Sequence, residues 1–230
     1  MSHDLRIISS MATRKLLAEI SGLFEQAHPA WRVQLESVGG VDAARRVAAG
    51  EAFDLVVLAD DAIERLMAAG HVRPGSRVDL VHSSTVVGVR EGSPLPDIGS
   101  EAALRAAVLA APTLGYSTGP SGVRLQQLFE HWGIAAEIQP RIVQAPPGVP
   151  VASLVAQGQV ALGFQQRSEM LGVAGVQIVG ALPDPVAIDS TFSASVAQTC
   201  RDDAGAQALL AFWRSSACHP AMRAQGLTPA

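Results

Sequence analysis

Aromatic residues make up only 4% of this 230-residue chain, with a single tyrosine, Tyr116. Any core must therefore be filled by Ala, Val, Leu and Gly. Charge is also sparse, at 17% of residues, with 17 basic against 21 acidic side chains and a formal charge of -4. No basic patch, aromatic RNA-binding strip or Cys/His finger is present, so nucleic acid is not an expected partner. No apolar run reaches the ~20 residues that span a bilayer. Cys200 and Cys218 are the only cysteines. Their spacing fits no metal site or redox pair, which leaves two free thiols. There is no Walker loop, no HExxH and no Ser/His/Asp spacing, so neither cofactor nor metal is expected. Asp60-Asp61 reads as a helix start, not a metal pair. Met1-Ser2-His3-Asp4 leads straight into a strand with no basic segment, apolar segment and cleavage site before it. The expected location is cytoplasmic, or periplasmic if a leader has been removed.

What is present is globular: 48% hydrophobic residues in a chain long enough for one large domain or two small lobes. The organising stretch runs from Leu5 to Lys15. Leu5-Arg6-Ile7-Ile8 reads as a buried strand, Ser9-Ser10-Met11 as a turn, and Thr13 to Gln26 as a helix. Leu16, Leu17, Ile20, Leu23 and Phe24 recur there at helical spacing. Such a turn sits where the first N–H groups of a helix lack partners and its dipole favours an anion. Ser9, Ser10 and Thr13 add hydroxyls, and Arg14 and Lys15 add positive charge. Helix capping and plain solvation would explain the same residues.

The rest alternates strands and helices. Strands are expected at Trp31–Glu36, Asp54–Leu58, Arg77–Val81, Thr85–Val89, Thr113–Tyr116, Glu137–Val143, Val160–Phe164, Val176–Val179 and Ser193–Val196. Helices are expected at Val41–Ala49, from Asp60 to Gly70, and at Glu101–Ala110, Val123–Trp132, Val151–Ala156, Asp203–Trp213 and His219–Gln225. Gly50 and Gly70 suit helix C-terminal caps. Pro146–Pro150 reads as a rigid turn. The strand, small polar turn, helix unit recurs at Gly39-Gly40, Ser121-Gly122 and Gln165-Gln166. In open α/β sheets ligands bind outside the carboxyl ends of the strands. Four turns poor in charge and rich in Ser and Gly can bring backbone close to a small anion.

Several phrases carry a family resemblance: Leu5–Ser10, Phe24-Glu25, Gly50-Glu51-Ala52-Phe53-Asp54-Leu55-Val56-Val57, Gly70-His71-Val72 and Leu227-Thr228-Pro229-Ala230. In this order the chain resembles the molybdate-binding-protein-like (ModA-like) solute-binding proteins. The resemblance implies an α/β chain with the type II periplasmic binding protein fold, two Rossmann-like lobes joined by two crossing strands near Ser83–Val89 and Ile188–Ser195. Lobe I would be residues 1–84 plus 193–230, and lobe II residues 85–192. It also implies ligand-binding positions at Ser9, Ser10, Gly39, Gly40, Val41, Ser121, Gly148, Val149 and Gln166, and Met11, Gly122 and Gln165 in the same turns are further ligand-binding candidates. A transporter permease would be the partner of an exported protein.

Two departures shape the ligand expectation. Gly39-Gly40-Val41 offers backbone where the molybdate binders offer a serine, and Gln166 stands where they have a tyrosine. Amides, with Arg14, Lys15, Arg90 and Arg167 as possible charge partners, suit a di- or tricarboxylate better than molybdate. The same group also resembles aconitate isomerase, which moves a double bond by proton transfer and needs a general base. Glu169, His82 and Tyr116 are the candidates. The expectation is a binding protein for a small oxyanion or carboxylate. The alternative is an isomerase of an unsaturated polycarboxylate.

Overall fold

The computed structural model describes residues 3–146 and 148–230. Met1, Ser2 and Pro147, expected before the first strand and in the Pro146–Pro150 turn, lie outside the described residues. The chain divides into two compact units: Met1–His82 with Thr191–Ala230, and Ser83–Ser190.

The first unit opens with β1 (His3–Ser10), a 3-10 turn over Met11–Thr13, and α1 (Arg14–Ala27). Then come β2 (Trp31–Val38), α2 (Gly40–Ala48), β3 (Leu55–Ala59) and α3 (Asp60–Ala68). Strand β1 is parallel to both β2 and β3. The helical spacing of Leu16, Leu17, Ile20 and Phe24 puts all four into one core with Leu5, Ile7, Leu55 and Val57. The alternate residues Ile8, Val56 and Leu58 enter a second core with Val47 of α2 and Ile63 and Leu66 of α3. Burial on both faces is why Leu55–Leu58 is an unbroken apolar run. Truncating a fully buried Leu17 or Ile20 to Ala would cost about 2–5 kcal/mol. Gly50, at φ +79°, follows α2 in the left-handed conformation that favours glycine after a helix.

Strand β4 (Val78–Arg90) carries the chain into the second unit. There follow α4 (Glu101–Ala110), β5 (Leu114–Tyr116), α5 (Pro120–His131), α6 (Ala135–Ile138), β6 (Ile142–Gln144) and α7 (Val151–Ala156). Next are β7 (Leu162–Gln166), α8 (Arg167–Met170) and β8 (Val176–Ala181). Strand β5 is parallel to β6 and β7, while β4 is antiparallel to β7 and β8. Leu125 and Phe129 of α5 share a core with Val87, Phe164 and Ile188. Val151 and Val155 of α7 pack with Val86 and Met170 in another. Strand β9 (Asp189–Val196) returns the chain to the first unit, where it pairs antiparallel with β3. Helices α9 (Asp203–Trp213) and α10 (His219–Ala224) and β10 (Thr228–Pro229) complete the chain.

Three expectations need correction. The strands expected at Arg77–Val81 and Thr85–Val89 are not separate: from Val78 on, both are parts of β4. His82-Ser83-Ser84 contains no Gly or Pro, and His82 pairs in register with Thr228 of β10, so the strand runs on. Glu137–Val143 is not a strand: α6, a 3-10 turn at Gln139–Arg141 and the short β6 occupy that stretch. Ile134 and Ile138 are four apart and both buried, which is a helical spacing, and Pro140 cannot donate to a ladder. Finally, Ser9, Ser10, Gln165 and Gln166 are the last residues of β1 and β7, not turn residues.

Candidate functional site

In the first unit the parallel register aligns Ser9 with Ser37 and Ser10 with Val38. The two adjacent serines differ in bonding. Ser9 Oγ lies 2.7 Å from Ser37 Oγ and ties β1 to β2. Ser10 is 7% exposed, and its Oγ is buried with no hydrogen-bond partner among the described residues. It does not cap the following turn through its side chain. A β-carbon placed on Gly40 would sit 3.8 Å from Ser10 Cβ, so the start of α2 stands beside Ser10. The first intrahelical bond of α2 runs from Ala43 N to Gly39 O at 2.9 Å. The N–H groups of Gly40, Val41 and Asp42 precede it. The Val41 side chain is 65% exposed, and Met11 is half-buried in the 3-10 turn.

In the second unit, α5 begins at the carboxyl end of β5. Ser121 is 7% exposed and lies in the first turn, which has no acidic residue and no side-chain cap. The N–H groups of Ser121 and Gly122 precede the first intrahelical bond, Val123 N to Gly119 O at 3.1 Å. Only glycine fits at 122: a β-carbon there would lie 1.7 Å from the Ser117 carbonyl oxygen. Gln166 is 5% exposed. Its Nε2 donates to Ser190 Oγ at 2.9 Å, and its Oε1 is buried and unpaired among the described residues. Gln165 has a different task. Its Oε1 accepts from Ala152 N at 2.9 Å, capping α7, and its Nε2 donates to Glu169 Oε1 at 2.9 Å. Gly148 and Val149 are exposed; Val149 N–H is spent on Pro146 O at 3.0 Å.

The candidate cations are Arg14, Lys15, Arg90 and Arg167. Arg14 lines a pocket of about 520 Å³ with Ser21, Glu25, Leu35 and Glu36, beside β2. Lys15 and Arg167 are exposed on the first turns of α1 and α8. Arg90 ends β4, with Nη1 3.5 Å from where a Gly158 β-carbon would be. That is five residues beyond Thr85, about 17 Å along the strand. The Ser10–Gly40 and Ser121–Gln166 clusters offer hydroxyl, amide and backbone N–H groups, with Asp42 in the first turn of α2 and Arg124 three residues beyond Ser121.

The candidate bases have different partners. His82 is exposed, with Nδ1 3.1 Å from Thr191 Oγ1. Glu169 accepts from Gln165. Tyr116 is 7% exposed and packs edge-on to Phe129 at 6.1 Å; burial, then the Glu130 charge, push its hydroxyl pKa above the usual value. No group of three His, Cys, Asp or Glu among the described residues could hold a metal. Hydroxyls and unpaired N–H groups at helix starts are suited to holding an anion.

Sequence reasoning missed Ser83, Thr85 and Ser190. Ser83 Oγ and Thr85 Oγ1 are buried and unpaired among the described residues, and Ser190 meets Gln166. The signal was there in two hydroxyl residues at alternate positions, Ser83 and Thr85, continuing into the apolar run Val86–Val89.

Residues 5–228 match the family described as bacterial extracellular solute-binding protein. The chain is 32% identical over 233 residues to an aconitate isomerase from Pseudomonas sp, covering 98% of this chain and 87% of that protein. Its fold is similar to the periplasmic molybdate-binding protein of Azotobacter vinelandii, with TM-score 0.81 and 19% identity over 97% of this chain and 98% of that one. It is also similar to the sulfate-binding protein SubI of Mycobacterium tuberculosis H37Rv, with TM-score 0.80 and 15% identity over 99% and 87%. The chain therefore belongs to the bacterial extracellular solute-binding protein family and has the type II periplasmic binding protein fold.

Proposed function

We propose that this protein captures a small anion, with an organic carboxylate preferred over a bare oxyanion. The observation that carries the reading is Ser10: a buried hydroxyl without a partner, beside the open N–H groups of α2. The Ser121–Gln166 cluster of the second unit offers the same kind of donors to an anion: a hydroxyl, an amide and helix-start N–H groups. Two features favour a carboxylate. Gln166 presents an amide end, and a relative sharing 32% of its residues is an aconitate isomerase. In this reading the ligand's charge is met chiefly by the oriented dipoles of hydroxyls, an amide and helix-start N–H groups. A transporter permease is the partner of an exported form. No helix among the described residues is long and apolar enough to cross a membrane.

A thermal-shift screen of molybdate, tungstate, sulfate, malate, citrate and the two aconitates tests this, since a ligand that binds only the folded state raises Tm. A shift with a di- or tricarboxylate is expected, and no shift with any of these anions overturns the reading.

The same relative favours a second reading: the scaffold isomerises an unsaturated polycarboxylate, moving a proton from one carbon to another as the double bond shifts. Incubation with trans-aconitate and detection of the cis isomer tests it. Binding without conversion leaves the capture function alone.

A further inference from the structure

Strand β4 changes character along one face. Val89 and Val87 are buried in the core that α5 covers, and Thr85 and Ser83 continue the same two-residue spacing. Thr85 is 0% exposed and Ser83 1%. Neither hydroxyl has a partner among the described residues. The backbone of Thr85 is already satisfied, its N–H by Ile188 O and its C=O by Leu182 N. Gln166 stands directly opposite Thr85 where β4 pairs with β7, so the two side chains leave the sheet on the same side. One end of the Gln166 amide meets Ser190; the other is buried and unpaired. Turning the amide over exchanges the two ends and leaves the same deficit.

Three unmet polar groups therefore gather at the carboxyl end of β7. The start of α5 lies at that end too. Helix α5 follows β5, β5 is parallel to β7 with Tyr116 opposite Phe164, and Arg124 Nη1 donates to Asp189 O at 2.5 Å. Buried hydroxyls left unpaired are costly, and packing gives no return for them. Ser83 and Thr85 are separated by about 7 Å of strand, which lengthens the polar floor beyond the helix start.

We infer that Ser83 and Thr85 are ligand contacts that extend the Gln166 cluster along β4. They fit it to an organic acid with a carboxylate at the start of α5 and a second oxygen-bearing group along the strand. This rests on the anion-site reading above. Hydroxyls both donate and accept, so the second group is a carboxylate or a hydroxyl.

The test is Thr85→Val, which keeps the shape and removes Oγ1. Calorimetry with citrate, trans-aconitate and molybdate is run on parent and variant, with thermal unfolding of each free of ligand. The expected result is a loss of about tenfold or more in affinity for the acid the parent binds, converting one charge-assisted hydrogen bond. Ligand-free Tm is unchanged or higher, because an unmet hydroxyl has gone. Thr85→Ser retains the parent affinity. Ser83→Ala carries the same expectation and serves should Thr85→Val not fold. A Thr85→Val protein that binds the acid as tightly as the parent overturns the inference and leaves the anion site standing. A parent that binds molybdate alone overturns the extended ligand. A parent that binds none of the probes removes the anion site, and this inference with it.

Discussion

Ser9 and Ser10 are neighbours with opposite bonding, and replacing each by Ala separates a structural serine from a binding one. Ser10 Oγ has no protein partner among the described residues, so Ser10→Ala breaks no hydrogen bond in the free protein. Stability should hold, or rise slightly, since the site no longer buries an unmet hydroxyl. The bound state loses one charge-assisted bond, about 1.5–3 kcal/mol, or roughly 10- to 150-fold in affinity. Ser9 Oγ is 2.7 Å from Ser37 Oγ, so Ser9→Ala removes that bond and strands Ser37. The cost is about 0.5–1.5 kcal/mol of stability, with affinity nearly unchanged. Urea unfolding and titration calorimetry on both variants read the two quantities. A Ser10→Ala protein about 1 kcal/mol less stable with parental affinity would make Ser10 a cap and refute the argument.

Two further outcomes follow from the geometry. Gly122→Ala pushes a methyl against the Ser117 carbonyl, 1.7 Å from the new carbon, so the Ser117–Gly119 turn must move; unfolding should show a loss of about 1–3 kcal/mol and calorimetry a weaker ligand. Asp79 is held below its ordinary pKa of 3.8 by the Ser193 hydroxyl, against burial, and by Arg77. A depressed carboxyl stabilises the fold above its unfolded value and loses that contribution as pH falls through its folded value. Acid unfolding of Asp79→Asn should therefore be shallower below about pH 4 than the parent's, and an identical acid limb would contradict the assignment.

Much of the fold was legible because local pattern and burial agree. Leu55–Leu58 is apolar throughout because helices cover both faces of β3, and Ser100 accepts from Ala103 N where α4 was expected to start. Legibility failed where tertiary pairing decides. The polar residues His82-Ser83-Ser84 read as a break because nothing local reveals β10 pairing with His82. Arg90 read as a charge partner because its distance from Gln166 depends on the β4–β7 register. Composition singled out Ser9-Ser10 and Gln165-Gln166, but that they end strands and that their side chains are bonded differently required the structure. Ser9 and Ser10 look alike in sequence, as do Gln165 and Gln166.

The central claim is that this protein binds a small organic anion through buried hydroxyl and helix-start donors, and the most direct measurement is titration calorimetry of the intact protein. Di- and tricarboxylates are compared with molybdate, tungstate and sulfate at one pH and salt concentration. The expected result is a single saturable site that binds a di- or tricarboxylate more tightly than any of the inorganic oxyanions. Nanomolar molybdate binding with no carboxylate heat would contradict it.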